Sequence, residues 1–122
     1  MATKELTGEN FGEVLGGADM VLIDFWAAWC GPCRFFAPVY ERVSQRHGDI
    51  VFGKVDTEAQ PGLATAFQIS SIPTLVIIRD QVALYAQPGA LPEQALEELI
   101  AEARAVDMDE VHRRVAEEKA SA

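Results

Sequence analysis

Residues Val21-Leu22-Ile23-Asp24-Phe25-Trp26 are apolar at every position but one, in a run too short for a helix and rich in β-prone side chains. A run of this kind suits a strand with both faces covered, because a strand with one wet face would alternate polar and apolar residues. Covering both faces requires helices on each side, and the rest of the chain supplies them. Phe11, Val14 and Leu15 recur at helical spacing between Thr7, a suitable N-cap residue, and Gly16-Gly17. Phe36, Val39 and Val43 fall at i, i+3 and i+7 in a second helix, which should end near Gly48 and be kinked or interrupted at Pro38. Ile50 to Asp56 reads as the next strand, and Pro61 to Phe67 as a short helix with a proline in its first turn.

Thr74 to Ile78 and Val82 to Ala86 are separated by Arg79, Asp80 and Gln81 alone, a gap that permits only an antiparallel hairpin, although the turn lacks the usual glycine. Leu96, Leu99, Ile100 and Ala103 mark a last helix that opens after Pro92 and Glu93 and carries acids on its other face. The order predicts one α/β domain over residues 1–106, with a mixed sheet and helices on both faces. Residues 107–122 form a charged C-terminal extension with Met108, Val111 and Val115 at i, i+3 and i+7, either a weak amphipathic helix or a disordered tail.

The 122 residues are enough to build one core without metal or disulfide staples. Nineteen acidic against ten basic residues give a net charge of -9, the wrong sign for a phosphate backbone, so nucleic-acid binding is disfavoured. Met1 to Thr7 lacks the apolar core of a signal peptide, and no apolar run approaches the ~20 residues of a membrane span. A soluble, cytoplasmic protein without membrane partners is expected.

Cys30 and Cys33 are the only cysteines. A disulfide framework would use more of them at wider spacing, and a loop of four residues restricts the unfolded chain too little to make a strong staple. Their position, between a buried strand and the start of a helix, is the setting of a redox-active pair. At a helix N-terminus unpaired N–H groups and the macrodipole favour an anion, so Cys30 is the expected nucleophile. Cys33, one turn on, lies within reach to resolve a mixed disulfide and should be the less exposed thiol. Pro32 costs little in a first turn, and Gly31 leaves room for another chain to approach.

Two other readings of the cysteines carry less weight. A zinc site completed by His47 and His112 lacks the paired histidine spacing, so no metal is expected; two inert core cysteines are the other alternative. Asp24 reads either as a carboxyl whose pKa burial raises, suited to moving a proton, or as a satisfied structural acid near a sheet end. Lys54 reads either as its charge partner or as a surface lysine on an edge strand. Ile72-Pro73 opens the hairpin, with its peptide bond either cis or in the default trans form. Trp26 and Trp29 flank the cysteines, as core residues or as an apolar platform beside the nucleophile.

Asp24 to Cys33, Ala37-Pro38, Lys54-Val55-Asp56, Pro61-Gly62, Ile72 to Leu75 and Pro88-Gly89-Ala90 together resemble the thioredoxin family, over about Thr7 to Ala105. The resemblance implies the thioredoxin fold and reduction of protein disulfides by a dithiol, with no bound cofactor and electrons from NADPH through thioredoxin reductase. It implies that Cys30 attacks, Cys33 resolves, Asp24 moves a proton to and from Cys33, and Lys54 tunes Asp24. Pro73 would be a cis-proline beside the disulfide. Trp29, Gly31, Pro32, Ile72, Pro73, Gly89 and Ala90 would form the surface that binds disulfide-containing protein substrates, and a monomer is expected. Gly31-Pro32 between the cysteines resembles the reducing members, whereas isomerases and oxidants usually carry a histidine there. Ser71, Pro88 and the Asp80-Gln81 turn depart from the family pattern, the first two beside the docking surface. A binding module that uses this surface independently of the thiols is the competing function.

Overall fold

The computed structural model, which describes residues 2–121, runs β1 (Thr3–Glu5), α1 (Phe11–Gly16), β2 (Met20–Trp26), α2 (Gly31–Ser44), β3 (Val51–Asp56), α3 (Pro61–Ala66), β4 (Thr74–Arg79), β5 (Val82–Pro88), α4 (Glu93–Ala105) and α5 (Met108–Ser121). The five strands form one mixed sheet in the order β1-β3-β2-β4-β5. β3 is parallel to both β1 and β2, while β4 is antiparallel to β2 and to β5. This is the mixed sheet with helices on both faces that the sequence implied.

Alternation along β2 explains its near-continuous apolarity. Val21, Ile23 and Phe25 join Leu6, Val55, Val76 and Ile78 in one core, closed by side chains of α1 and α3. Met20 and Leu22 join Phe36, Tyr40, Val43, Phe52, Leu96 and Ile100 in the other, beneath α2 and α4. Burying each of these large side chains contributes about 1.5–3 kcal/mol, so both faces of the central strand are committed. Asp24 lies on the α2 face of the sheet, because it is two residues from Leu22 and shares its face.

β1 escapes the sequence pattern because a three-residue strand carries almost no periodicity. It is held by register with Phe52 to Lys54 and by the Leu6 N–H donating to the Lys54 carbonyl at 2.8 Å. Leu6 fills the space over Gly53, where a Cβ would meet its side chain. β3 is therefore an interior strand, which removes the edge-strand reading of Lys54.

α2 continues through Pro38 without interruption. The proline removes one N–H and the helix tolerates it, because Phe36, Tyr40 and Val43 clamp the flanking turns to the sheet. The helix ends at Ser44 rather than near Gly48. Its exposed side meets the acids of α4: Arg42 and Arg46 pair with Glu93, and Arg46 and His47 with Glu97. Such solvent-screened pairs help set the relative placement of the two helices but do not drive folding.

The hairpin turn is two residues long, with Arg79 belonging to β4. Asp80 and Gln81 both have positive φ, 50° and 65°, the pattern of the type I′ turn that matches the twist of antiparallel strands. Asp tolerates that region, and the Asp80 N–H is further tied to the Asp19 carbonyl at 2.8 Å. At the far end of β4 from the cysteines, the Arg79 guanidinium donates to the carbonyls of Ala103, Arg104 and Val106, capping α4. α5 follows with Met108 buried and Val111 and Val115 half-buried. Among the described residues no helix is long and apolar enough to cross a membrane.

Candidate active site

Trp26 ends β2, and after three intervening residues the chain enters α2 with Cys30 as the N-cap, in extended backbone at φ -87° and ψ 114°. The N-cap side chain is the group best placed to accept a hydrogen bond from a first-turn N–H that has no helical partner. Here that group is a sulfur: Cys30 Sγ accepts from the Cys33 N–H at 3.2 Å. The two cysteines are joined in a disulfide, with their Cα atoms 5.2 Å apart. Both residues are nearly enclosed, 4% and 3% exposed, so attack on this bond is restricted to a group that docks against the surrounding surface.

Loops from three other elements complete that surface. The Ile72–Pro73 peptide bond is cis, and the Ile72 carbonyl oxygen lies 3.8 Å from Cys30 Sγ. The Gly89 N–H donates to the Pro73 carbonyl at 2.8 Å, fastening the segment after β5 to the segment before β4. Gly89 does so at φ +117°, a conformation that L side chains rarely adopt. Ala90 follows and lines an open groove of about 730 Å³ with Gly31, Pro32, Phe35, Val39 and Leu91. On the other side of the disulfide, Trp29, Ser71 and Ile72 line a second groove of about 400 Å³. Trp29 is held across it by its indole N–H, which donates to Glu58 Oε1 at 2.7 Å.

Asp24 is fully buried, and neither carboxylate oxygen has a hydrogen-bond partner among the described residues. Burial therefore pushes its pKa up, to about 7, with the positive charge of Lys54 pulling the other way. Asp24 and Lys54 are opposite one another in the β2–β3 register, but no ion pair joins them. The Lys54 ammonium instead sits 5.1 Å from the centre of the Trp26 ring. Asp24 thus stands on the sheet face covered by α2, whose first buried residue is Cys33; on the same face burial, and secondarily the Asp24 charge, push the Tyr40 hydroxyl up.

The structure thus gathers Cys30, Cys33, Trp29, Gly31, Pro32, Ile72, Pro73, Gly89 and Ala90 at one end of the sheet, while Asp24 lies on the β2 face that α2 covers. Lys54 lies opposite Asp24 in the register and acts on it through its charge, without an ion pair between them. His47 contacts Glu97 and Arg104, and His112 faces Asp80, so neither histidine joins the cysteines.

The sequence matches the thioredoxin family model over residues 2–102. The chain belongs to the thioredoxin family. It is 62% identical over 121 residues to putative thioredoxin 2 of Streptomyces coelicolor, covering 99% of this chain and 90% of that one. It is 39% identical over 102 residues to the thioredoxin of Alicyclobacillus acidocaldarius, covering 83% and 97%. Among solved structures, Plasmodium falciparum thioredoxin superposes with a TM-score of 0.76 at 32% identity, covering 82% of this chain and 98% of the other. With the Cys30–Cys33 pair in place, the protein is a thiol-disulfide oxidoreductase.

Phe35 lines the groove with Gly31 and Pro32, a placement the helical spacing of Phe36, Val39 and Val43 does not bring out. It is 83% exposed, and with Trp29 at 67% it is one of the two exposed large hydrophobic residues among those described. A signal existed: adjacent helical residues point about 100° apart, so Phe35 and Phe36 cannot both face the core.

Proposed function

We propose that the protein reduces disulfide bonds in other polypeptides, with Cys30 as nucleophile and Cys33 as resolving thiol. The observation that carries this reading is the N-cap sulfur of Cys30, aimed at the Cys33 N–H at 3.2 Å. In the dithiol form the same N–H and the helix dipole favour a thiolate at Cys30. The thiolate attacks one sulfur of the substrate bond, giving a mixed disulfide and releasing the other substrate sulfur as a thiolate. Cys33 then loses its proton, attacks Cys30 Sγ, and expels the second substrate sulfur as the intramolecular disulfide forms. Two electrons pass from the protein dithiol to the substrate, whose two thiolates take up protons from Cys33 and from solvent.

Asp24 is the acceptor for the Cys33 proton. Its pKa near 7 lets it take and return a proton at neutral pH, as general acid–base work requires. Lys54 tunes it electrostatically across the register. Trp29, Gly31, Pro32, Ile72, Pro73, Gly89 and Ala90 receive the substrate backbone and side chains. The dithiol is restored by thioredoxin reductase using NADPH, in a reducing compartment such as the cytoplasm, and no bound cofactor is involved.

NADPH-coupled insulin reduction with thioredoxin reductase tests the reading. The wild type should turn over, and Cys30→Ser/Cys33→Ser should be inactive. In cells, genetic complementation that survives Cys30→Ser/Cys33→Ser would favour the thiol-independent binding module. A redox titration against glutathione should also place the pair on the reducing side of the glutathione couple, and a more oxidising position would overturn the reductase direction.

A further inference from the structure

The groove beyond Gly31 and Pro32 is walled by apolar side chains: Phe35 on α2, Val39 one turn further, and Leu91 across the gap. Arg34 is its one charged neighbour. The Arg34 guanidinium is turned back to donate to the Ala28 carbonyl at 3.2 Å, which leaves its methylene stem to the groove wall. Phe36, the residue beside Phe35, is 1% exposed and packs in the core. The exposure of Phe35 is therefore not a consequence of a poorly packed helix. With Pro32, Val39, Ala90 and Leu91 it makes one contiguous apolar surface, the kind that marks an interaction site.

What covers it follows from the chemistry next door. A substrate caught by Cys30 is tethered at that sulfur, and Gly31, the next residue, already lines the groove. A chain leaving the tether spans about 3.3–3.6 Å per residue, so side chains within two or three residues of the substrate cysteine reach across the groove.

We infer that Phe35, with Val39 and Leu91, forms a specificity groove for a bulky apolar side chain of the substrate polypeptide, within three residues of its disulfide cysteine. This rests on the reductase reading and names the substrate class it prefers. Discrimination comes from removing the Phe35 ring and the substrate side chain from water together, an apolar term that peptides with Ser at the same positions do not gain.

The test uses two disulfide-cyclised synthetic peptides, identical except for Leu or Ser at the two positions on either side of one cysteine. Reduction is followed with the full-length protein and the readout is the ratio of kcat/KM for the two. For the wild type the Leu peptide should be favoured about five- to tenfold. Phe35→Ala should bring the ratio to about one to two, and Phe35→Met, which keeps an apolar side chain of similar reach, should restore most of it. A wild-type ratio near one, or a preference for Leu that Phe35→Ala leaves unaltered, would overturn the groove while leaving the reductase reading intact. Failure to reduce either peptide would overturn both.

Discussion

Replacing Cys33 with Ser should abolish turnover and leave substrate polypeptides covalently attached to Cys30. The first step needs only the Cys30 thiolate, and the N-cap environment that favours it is built from backbone N–H groups that the substitution does not touch. The second step needs a sulfur one turn away, and Ser provides none. A loss of at least 10³-fold in insulin reduction is expected, together with a mixed disulfide visible by mass spectrometry and released by dithiothreitol. Cys30→Ser should be as inactive and trap nothing. Should Cys33→Ser turn over, or should the trapped chain map to a residue other than Cys30, the assignment of attacking and resolving thiols is wrong.

Asp24→Asn should make the protein more stable and less active, in a pattern set by pH. Burial moves the Asp24 carboxyl from its ordinary 3.8 to about 7 in the folded chain. The folded state therefore holds a proton that the unfolded state has lost between those two values. The stability this confers is fully present below 3.8, declines as the pH rises toward 7, and is gone above it. At about 1.4 kcal/mol per pKa unit the decline amounts to about 4 kcal/mol. Asparagine resembles the protonated acid and does not titrate, so the variant should match the wild type near pH 4. It should exceed the wild type by about 2–4 kcal/mol at pH 8 in denaturant unfolding. Its resolving step should slow about tenfold at pH 7, less than a general base commonly supplies because a thiol is partly ionised unaided. The deficit should shrink above pH 9, where Cys33 loses its proton directly. Parallel stability curves for the two proteins from pH 4 to 8 would show that Asp24 keeps an ordinary pKa, and an unaltered rate would leave it without a catalytic role.

Much of this was legible in the residues themselves. The run Val21 to Trp26 announced a doubly covered strand, and its single acid announced an anomaly that the structure identifies as an unpartnered carboxyl. The placement of Cys30 and Cys33 at a strand–helix junction was visible because strand and helix periodicities change between Trp26 and Phe36. Local patterns did not reveal pairings made by distant segments. β1 is too short to show a period and exists only because β3 presents Gly53 to Leu6. Lys54 matched the spacing of a charge partner, yet the Trp26 ring holds it near its π-face, which no spacing predicts. Pro38 signalled a disruption that tertiary packing of Phe36 and Tyr40 overrides. Gly89 and Pro73 were placed together by the predicted hairpin, whose pairing of Thr74 with Pro88 brings the Gly89 N–H to the Pro73 carbonyl, whereas their meeting with Cys30 depends on how β4 pairs with β2.

The central claim, that one sulfur is held ready as an anion at the start of α2, is most directly tested by alkylation of the reduced protein with iodoacetamide from pH 5 to 10, followed by peptide mapping. Cys30 should react first and alone, with a rate that levels off at a pH at least one unit below the ~8.5 of an ordinary thiol. Cys33 should stay unmodified over the same interval. Two thiols reacting at equal, slow rates with an ordinary pH midpoint would contradict the account.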